Sequence, residues 1–202
     1  MENPRREIFN NLADTWDEHL NLTDEKISSI SYVLDKCNCQ PADKILDVGC
    51  GTGVLVPFLI ERIGESGSIV GIDLAEKMIE VARSKFDDSR VSFVADDIFT
   101  HPFEPASFDK IFVFSAFPHF EDKAKTVAVF HKLLKPGGCL SISHVESSEV
   151  INNFHGNLQT AVLRGDQLPS AQEMTKLIDK AGWEVLEAKD QHKLYHLLLR
   201  KI

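Results

Sequence analysis

Lys44-Ile45-Leu46-Asp47-Val48-Gly49-Cys50-Gly51-Thr52-Gly53 sets an apolar run directly before three alternate glycines. The run fits a buried strand. The glycines let the backbone turn tightly and leave no Cβ in the path of a ligand. Residues 54–63 then have helical spacing, with Pro57 compatible only with a first turn. Strand, glycine turn and helix N-terminus together make a site that favours a carboxylate or phosphate. The G-x-G-x-G spacing differs from the dinucleotide fingerprint. No Lys-Ser/Thr pair follows, so the turn is not a triphosphatase phosphate loop.

Working outward, short apolar runs alternate with helical stretches. Strands are expected at 68–72, 91–95, 109–114 and 139–145, and helices at 75–86 and 121–134. The second of these helices is expected to stop at Lys135-Pro136-Gly137-Gly138. Strands that are apolar throughout, in a βαβ rhythm, argue for an α/β fold with a parallel sheet covered on both faces. A helix is expected from Ser170, with Glu173 completing a capping box, to Gly182. Two strands at 183–188 and 194–199 follow, and the short connection between them makes them antiparallel.

Two segments fall outside this rhythm but do not divide the chain, which reads as one domain over residues 1–202. Residues 1–40 hold an amphipathic stretch with Phe9, Leu12, Ala13 and Trp16, then a helix at 24–37 capped by Thr23; they are expected to act as a helical cover. Residues 146–168 are expected to form short helices over an acceptor site.

Across 202 residues, 31 acidic and 22 basic side chains give a net charge of −9, a poor balance for general nucleic-acid binding. Hydrophobic residues at 43% and charged residues at 26% are ordinary for a globular domain. No apolar run approaches the ~20 residues that span a bilayer, and Met1 to Asn10 lack the apolar core of a secretory signal. The expected location is therefore cytoplasmic. Cys37, Cys39, Cys50 and Cys139 show no C-x-x-C spacing and are expected to be reduced thiols with packing roles.

Downstream of the glycine turn, Asp73 closes the second strand, where a carboxylate can accept from both hydroxyls of a ribose. Asp96 and Asp97 close the third, within reach of an adenine amino group. Leu46 to Gly53, Val70-Gly71-Ile72-Asp73-Leu74-Ala75-Glu76-Lys77-Met78, Phe93-Val94-Ala95-Asp96-Asp97-Ile98, Phe108-Asp109-Lys110-Ile111 and Leu134-Lys135-Pro136-Gly137-Gly138 occur in that order. In these motifs the chain resembles the class I S-adenosylmethionine-dependent methyltransferases, and among them the ubiquinone/menaquinone-biosynthesis type and related small-molecule enzymes.

The resemblance implies a seven-stranded Rossmann-like sheet of order 3-2-1-4-5-7-6, with strand seven antiparallel. It implies S-adenosylmethionine as cofactor and S-adenosylhomocysteine as product. Gly49, Gly51 and Gly53 would carry the backbone past the methionine part, and Asp47 would orient its ammonium. Asp73, with Leu74 beside it, would take the ribose. Met78 would lie against adenine, Asp97 and the Ile98 amide would meet its edge, and Ser115 would lie near the sulfonium. The implied function is in-line methyl transfer to a small-molecule acceptor, with a non-catalytic cofactor-binding protein on the same fold as the alternative.

An activated methyl donor does not oblige the enzyme to supply a catalytic group, so the acceptor side is less determined. Topology directs His119, His144 and His192 toward one cavity, with His155 and Tyr195 near them and Phe117 more open than the strand phenylalanines. Two uses of the histidines stand open. One of them, His119 or His144 foremost, is a general base; or His119, His144 and His192 hold a metal ion. Phe117, His155, His192 and Tyr195 are the candidate acceptor contacts.

Overall fold

The computed structural model describes residues 3–178 and 182–202. Helix α1 (Pro4–Leu12), a 3-10 turn (Ala13–Thr15) and α2 (Trp16–Leu20) form the N-terminal segment, followed by α3 (Asp24–Cys37). The α/β core runs β1 (Lys44–Val48), α4 (Val56–Ile63), β2 (Ser68–Asp73), α5 (Glu76–Lys85), β3 (Val91–Ala95), β4 (Phe108–Phe114), a 3-10 turn (Phe117–His119), α6 (Lys123–Leu133) and β5 (Leu134–His144). The chain continues through α7 (Ser148–Gly156), α8 (Ala161–Arg164), α9 (Ala171–Leu177), β6 (Trp183–Gln191) and β7 (Leu194–Lys201).

The seven strands make one sheet of order β3-β2-β1-β4-β5-β7-β6. Neighbours from β3 to β5 are parallel, and β7 pairs antiparallel with both β5 and β6. This is the order and sense that the sequence motifs imply.

Alternation along the strands divides the core. Leu46, Ile111, Val113, Leu140 and Ile142 face one side with Phe108, Phe130 and Met174. Ile45, Ile69, Phe112 and Phe114 face the other with Ile30, Leu34, Leu59 and Ile63. Caps fall where side-chain chemistry allows them. Thr23 accepts from the Lys26 amide, Asp122 from the Lys125 amide, and Ser170 with Glu173 forms a capping box.

Three boundaries differ from expectation. Lys135-Pro136-Gly137-Gly138 does end α6, but it belongs to β5 rather than lying before it. The register jumps from Phe108↔Leu134 to Lys110↔Cys139, so the segment is a bulge. Gly137 there has φ +77°, a left-handed conformation that glycine adopts without strain. Helix α9 ends at Leu177, short of Gly182; positions 179–181 of the expected helix lie outside the described residues. The C-terminal strands run longer than expected because a bulge between Val185 and Glu187 lets pairing continue to Gln191↔Leu194. All four cysteines are free thiols. No helix among the described residues is long and apolar enough to cross a membrane.

Candidate active site

One cavity of about 380 Å³ opens at the C-terminal ends of β1, β2, β3 and β4. Ligands bind at this edge in open α/β sheets. Its lining includes Gly49, Gly51, Asp73, Leu74, Met78, Asp97, Ile98, Ser115 and His119 from the sequence-derived candidates. Strands β1 to β4 and the turns after them bring the donor-side residues together, although they lie between positions 49 and 115 of the sequence.

The glycine turn is tied to β2. The amides of Gly49 and Cys50 donate to the Ile72 carbonyl at 2.8 and 3.2 Å. Gly49 has φ +68°, and a Cβ there would stand 2.5 Å from Ala116 Cβ, so both backbone and space demand glycine. At Gly51 a Cβ would meet the Trp16 ring at 3.4 Å, inside the cavity mouth. Gly53 lies beneath the turn against Phe86 and is not part of the lining.

Asp73 accepts from the Gly51 amide and the Ala75 amide, each at 2.9 Å and each on a different oxygen. Each oxygen keeps a further lone pair. The N-cap position of α5 is Ala75, so Asp73 is not that helix's cap. Burial pushes the Asp73 carboxyl up, against the pull of its backbone amides.

Asp96 and Asp97 divide their work. Asp96 pairs with His101 at 2.8 Å and accepts the Asp97 amide. Asp97 accepts the Phe99 amide through Oδ1. Met78 is buried beside Ala13 and Ala75, with Phe9 and Trp16 packed against the group. Ser115, directly after β4, is in a left-handed conformation, φ +55°, and its amide donates to the Ser143 carbonyl.

Asp47 is buried at the end of β1 and does not line the cavity, though its neighbour Val48 does. Its Oδ2 has no hydrogen-bond partner among the described residues. Burial first and the Asp73 carboxylate second push its carboxyl up to about 7. A buried acceptor without a donor fits a cationic ligand group, and a glycine turn without Cβ atoms fits close backbone approach. These residues therefore fit an amino-acid nucleoside such as S-adenosylmethionine.

A family model described as a methyltransferase domain matches residues 40–201. The chain belongs to this methyltransferase family. Its motifs and strand order are those of class I S-adenosylmethionine-dependent methyltransferases, whose cofactor is S-adenosylmethionine and whose product is S-adenosylhomocysteine. The demethylmenaquinone methyltransferase of Staphylococcus epidermidis is 30% identical over 142 residues, which cover 67% of this chain and 59% of that protein. The chain thus aligns with about three fifths of that relative's length. The Lactococcus lactis protein of the same name is 28% identical, covering 90% of this chain and 82% of that one. A methyltransferase from Haloferax volcanii, solved in complex with its Trm112 activator, superposes with a TM-score of 0.79 at 20% identity over 96% of each chain.

The acceptor-side candidates scatter more widely. His119 reaches the cavity; His144, His155, His192, Tyr195 and Phe117 are not among its lining residues. Phe117 is wholly buried in the core, which corrects the expectation that it is open; the more accessible ring is Phe120, which does line the cavity. His144 is 2% exposed and pairs across strands with Tyr195, their rings 5.9 Å apart. Neither His144 Nε2 nor the Tyr195 hydroxyl has a hydrogen-bond partner among the described residues. Burial, with lesser contributions from His119 and His155, holds the His144 imidazole down at about 3.

His192 sits exposed in the β6–β7 turn. That turn is pinned to α3, where Ser29 donates to the Lys193 carbonyl at 3.1 Å and Glu25 pairs with Lys193. The His119–His144–His192 metal alternative therefore has no assembled counterpart, and no group of three metal-ligating side chains is found among the described residues.

Two residues at this end of the cavity, Arg5 and Asp166, went unpredicted, whereas Trp16 and Leu20 fall in the expected N-terminal cover. Arg5, Trp16 and Leu20 of the N-terminal segment close the cavity. Asp166 stands behind His119 and binds it at 2.7 Å. Trp16 and Leu20 carried an amphipathic signal; the Arg5–Asp166 pair, 161 positions apart, carried none.

Proposed function

We propose that this protein transfers a methyl group from S-adenosylmethionine to a small-molecule acceptor. The observation that carries the proposal is the convergence of the glycine turn, Asp73 and Asp97 on one cavity, with the unpartnered Asp47 beside it. When bound, the sulfonium supplies an electrophilic methyl group that needs no further activation.

The residues of the chain bind and orient. Asp73 offers its remaining lone pairs to the two ribose hydroxyls. Asp97, with only one oxygen engaged by the Phe99 amide, takes the adenine amino group, and the Ile98 amide faces the ring edge. Met78 covers the adenine face. Asp47 receives the ammonium, and Gly49, Gly51 and Gly53 shape the turn along the methionine part. Ser115 stands near the reacting end. Residues 1–40 serve as the cover. Residues 146–168 support the acceptor end from one layer back, through Asp166. Fixing donor and acceptor in line and excluding water are the main contributions to rate.

The acceptor is aromatic. Phe9, Trp16, Leu20, Phe99, Phe114 and Phe120 supply most of the apolar wall. Demethylmenaquinone, the substrate in the names of the Staphylococcus and Lactococcus relatives, belongs to that class.

Calorimetric titration with S-adenosylmethionine, S-adenosylhomocysteine and NAD tests the donor side. The two sulfur nucleosides should bind and NAD should not. Asp73→Ala should weaken S-adenosylhomocysteine binding by about 1–3 kcal/mol, because hydroxyls buried on binding lose their acceptor. Preference for NAD, or unchanged affinity in the variant, overturns the assignment. Tight binding without turnover on any acceptor favours the non-catalytic alternative.

A further inference from the structure

His119 occupies the 3-10 turn after β4 and lines the cavity beside Ser115. Its Nδ1 lies 2.7 Å from Asp166 Oδ2. Asp166 is 4% exposed and is itself fixed from the other side. Arg5 of α1 donates Nε to Oδ2 at 3.2 Å and Nη2 to Oδ1 at 2.5 Å, and its Nη1 reaches Glu121 at 2.9 Å. The Asp166 carbonyl, in turn, is 2.9 Å from His155 Nδ1. An ionised carboxylate accepts only, so Nδ1 of His119 carries the proton and Nε2 presents a lone pair. No residue among those described bonds Nε2, and the His119 side chain is 18% exposed.

We propose that His119, oriented by Asp166 and Arg5, is the general base for an acceptor that carries a phenolic hydroxyl. This rests on the methyl-transfer function proposed above and names the chemistry of its acceptor. The step balances. The acceptor O–H bond breaks, its proton goes to Nε2 of His119, and the electron pair stays on oxygen. That oxygen forms the O–CH3 bond while the S–CH3 bond breaks and its pair remains on sulfur. The resulting imidazolium is stabilised by Asp166 and returns its proton to solvent. Asp166 and Arg5 touch no reactant; they are positioning residues. Because Arg5 belongs to the same segment that closes the cavity, closure and alignment of the base are one event.

The charge balance around the ring supports this use. Arg5 from α1, Asp166 ahead of α9, His155 from α7, His144 from β5, Glu121 and Lys123 at the start of α6 all face this region. Asp166 is held at about 2 by His119 and Arg5 against its burial, so it stays ionised. Burial lowers the imidazole of His119 below its ordinary value, and Asp166 opposes that. The free base is therefore the resident form near neutral pH, as proton abstraction requires. A phenol in an aromatic-walled cavity supplies a proton within reach of such a base, whereas an amine acceptor already holds a free lone pair when neutral.

The test uses the full chain with S-adenosylmethionine and a panel of substituted phenols and naphthols, with anilines as the contrasting class. S-adenosylhomocysteine binding by calorimetry is measured on every variant. His119→Gln should retain that binding and lose at least ~100-fold in turnover. Asp166→Asn should lose about tenfold and move the acid limb of the pH profile to lower pH, since the carboxylate that raises the imidazole is gone. A purely structural Asp166 would not move that limb. Arg5→Gln, one step further from the ring than Asp166, should lower turnover in the same direction without the full loss. Nitrogen-15 NMR of the protein with S-adenosylhomocysteine should show His119 as the Nδ1–H tautomer, a readout independent of activity. Failure of the wild-type protein to bind S-adenosylhomocysteine would sink the donor assignment instead. With that binding intact, three results overturn the base proposal: no phenol methylated, anilines preferred, or pH profiles unchanged in Asp166→Asn.

Discussion

The carboxyl of Asp47, pushed up to about 7, is the donor-side group whose protonation a ligand can change most. Near neutral pH it is partly protonated in the free protein. An ammonium brought to it favours the charged form, so binding expels a fraction of a proton. S-adenosylhomocysteine titrations at pH 6.5 in buffers of different ionisation enthalpy should give different apparent enthalpies, with net proton release. Asp47→Asn should remove that buffer dependence and weaken binding. Equal enthalpies in all buffers for the wild-type protein would mean that Asp47 does not meet the ammonium. Asp73 and Asp97 were legible as cavity residues because each lies at or just past a strand end within a short motif, so local spacing carries the information; Asp47, from the same kind of motif, sits beside the cavity rather than in its lining. Asp96, adjacent to Asp97, shows how fine that reading must be, since its bond to His101 spends it on the turn. Asp166 was not legible. It acts through partners 47 and 161 positions away, and nothing in its neighbours encodes that pairing.

At the scale of elements, the N-terminal segment clasps the site by polar contacts and by the small apolar cluster of Ala13, Ala75 and Met78. Asp17 accepts from the Thr52 hydroxyl at 2.5 Å in the glycine turn and pairs with Lys85 of α5 at 2.6 Å. Asn10 donates to Glu76 and accepts the Lys77 amide. Residues 3–20 contribute nothing to the two large clusters on the sheet faces, so the clasp can open without unfolding the core. Asp17→Ala should therefore weaken S-adenosylhomocysteine binding about threefold to tenfold, the worth of one or two hydrogen bonds, with little change in thermal midpoint. A large fall in midpoint with unchanged affinity would make the clasp a stabilising element only. Trp16 lies at the cavity mouth while Trp183 is buried in the core, so ligand binding should change tryptophan fluorescence, and Trp16→Phe should abolish the change. The strands and α3 were legible from apolar runs and caps. The insert was less so: Phe154, within the stretch expected to cover the acceptor site, is 62% exposed, because α7 turns that side outward while His155 packs inward. Helical spacing alone did not settle which face meets the body of the protein.

The whole molecule stores several imidazoles in neutral form, and this sets its response to acid. Burial lowers His119, His144 and His196, with His144 held at about 3. His196 is wholly buried between Ser141 at 3.1 Å and Glu187 at 2.8 Å, so its ring is a fixed part of the β5–β7–β6 sheet. Unfolding releases these rings to their ordinary value of about 6.5, so below that pH the unfolded chain binds more protons than the folded one. Stability contributed by the neutral rings is full above about 6.5 and falls as pH drops toward the folded value, near 3 for His144. Asp47 has the opposite sign: its raised carboxyl favours the folded state below its unfolded value of about 3.8, an advantage lost as pH rises through about 7. Three lowered imidazoles act against two raised carboxyls, Asp47 and Asp73, so the thermal midpoint should fall as pH is taken from 7.5 to 5. His144→Leu replaces an imidazole whose Nε2 is buried without a partner by an apolar side chain of similar reach. Its midpoint should depend less steeply on pH over that range than the wild-type one. A midpoint that stays flat or rises toward pH 5 in the wild-type protein would show that the rings keep their protons in the folded state, and with them that water reaches these buried positions.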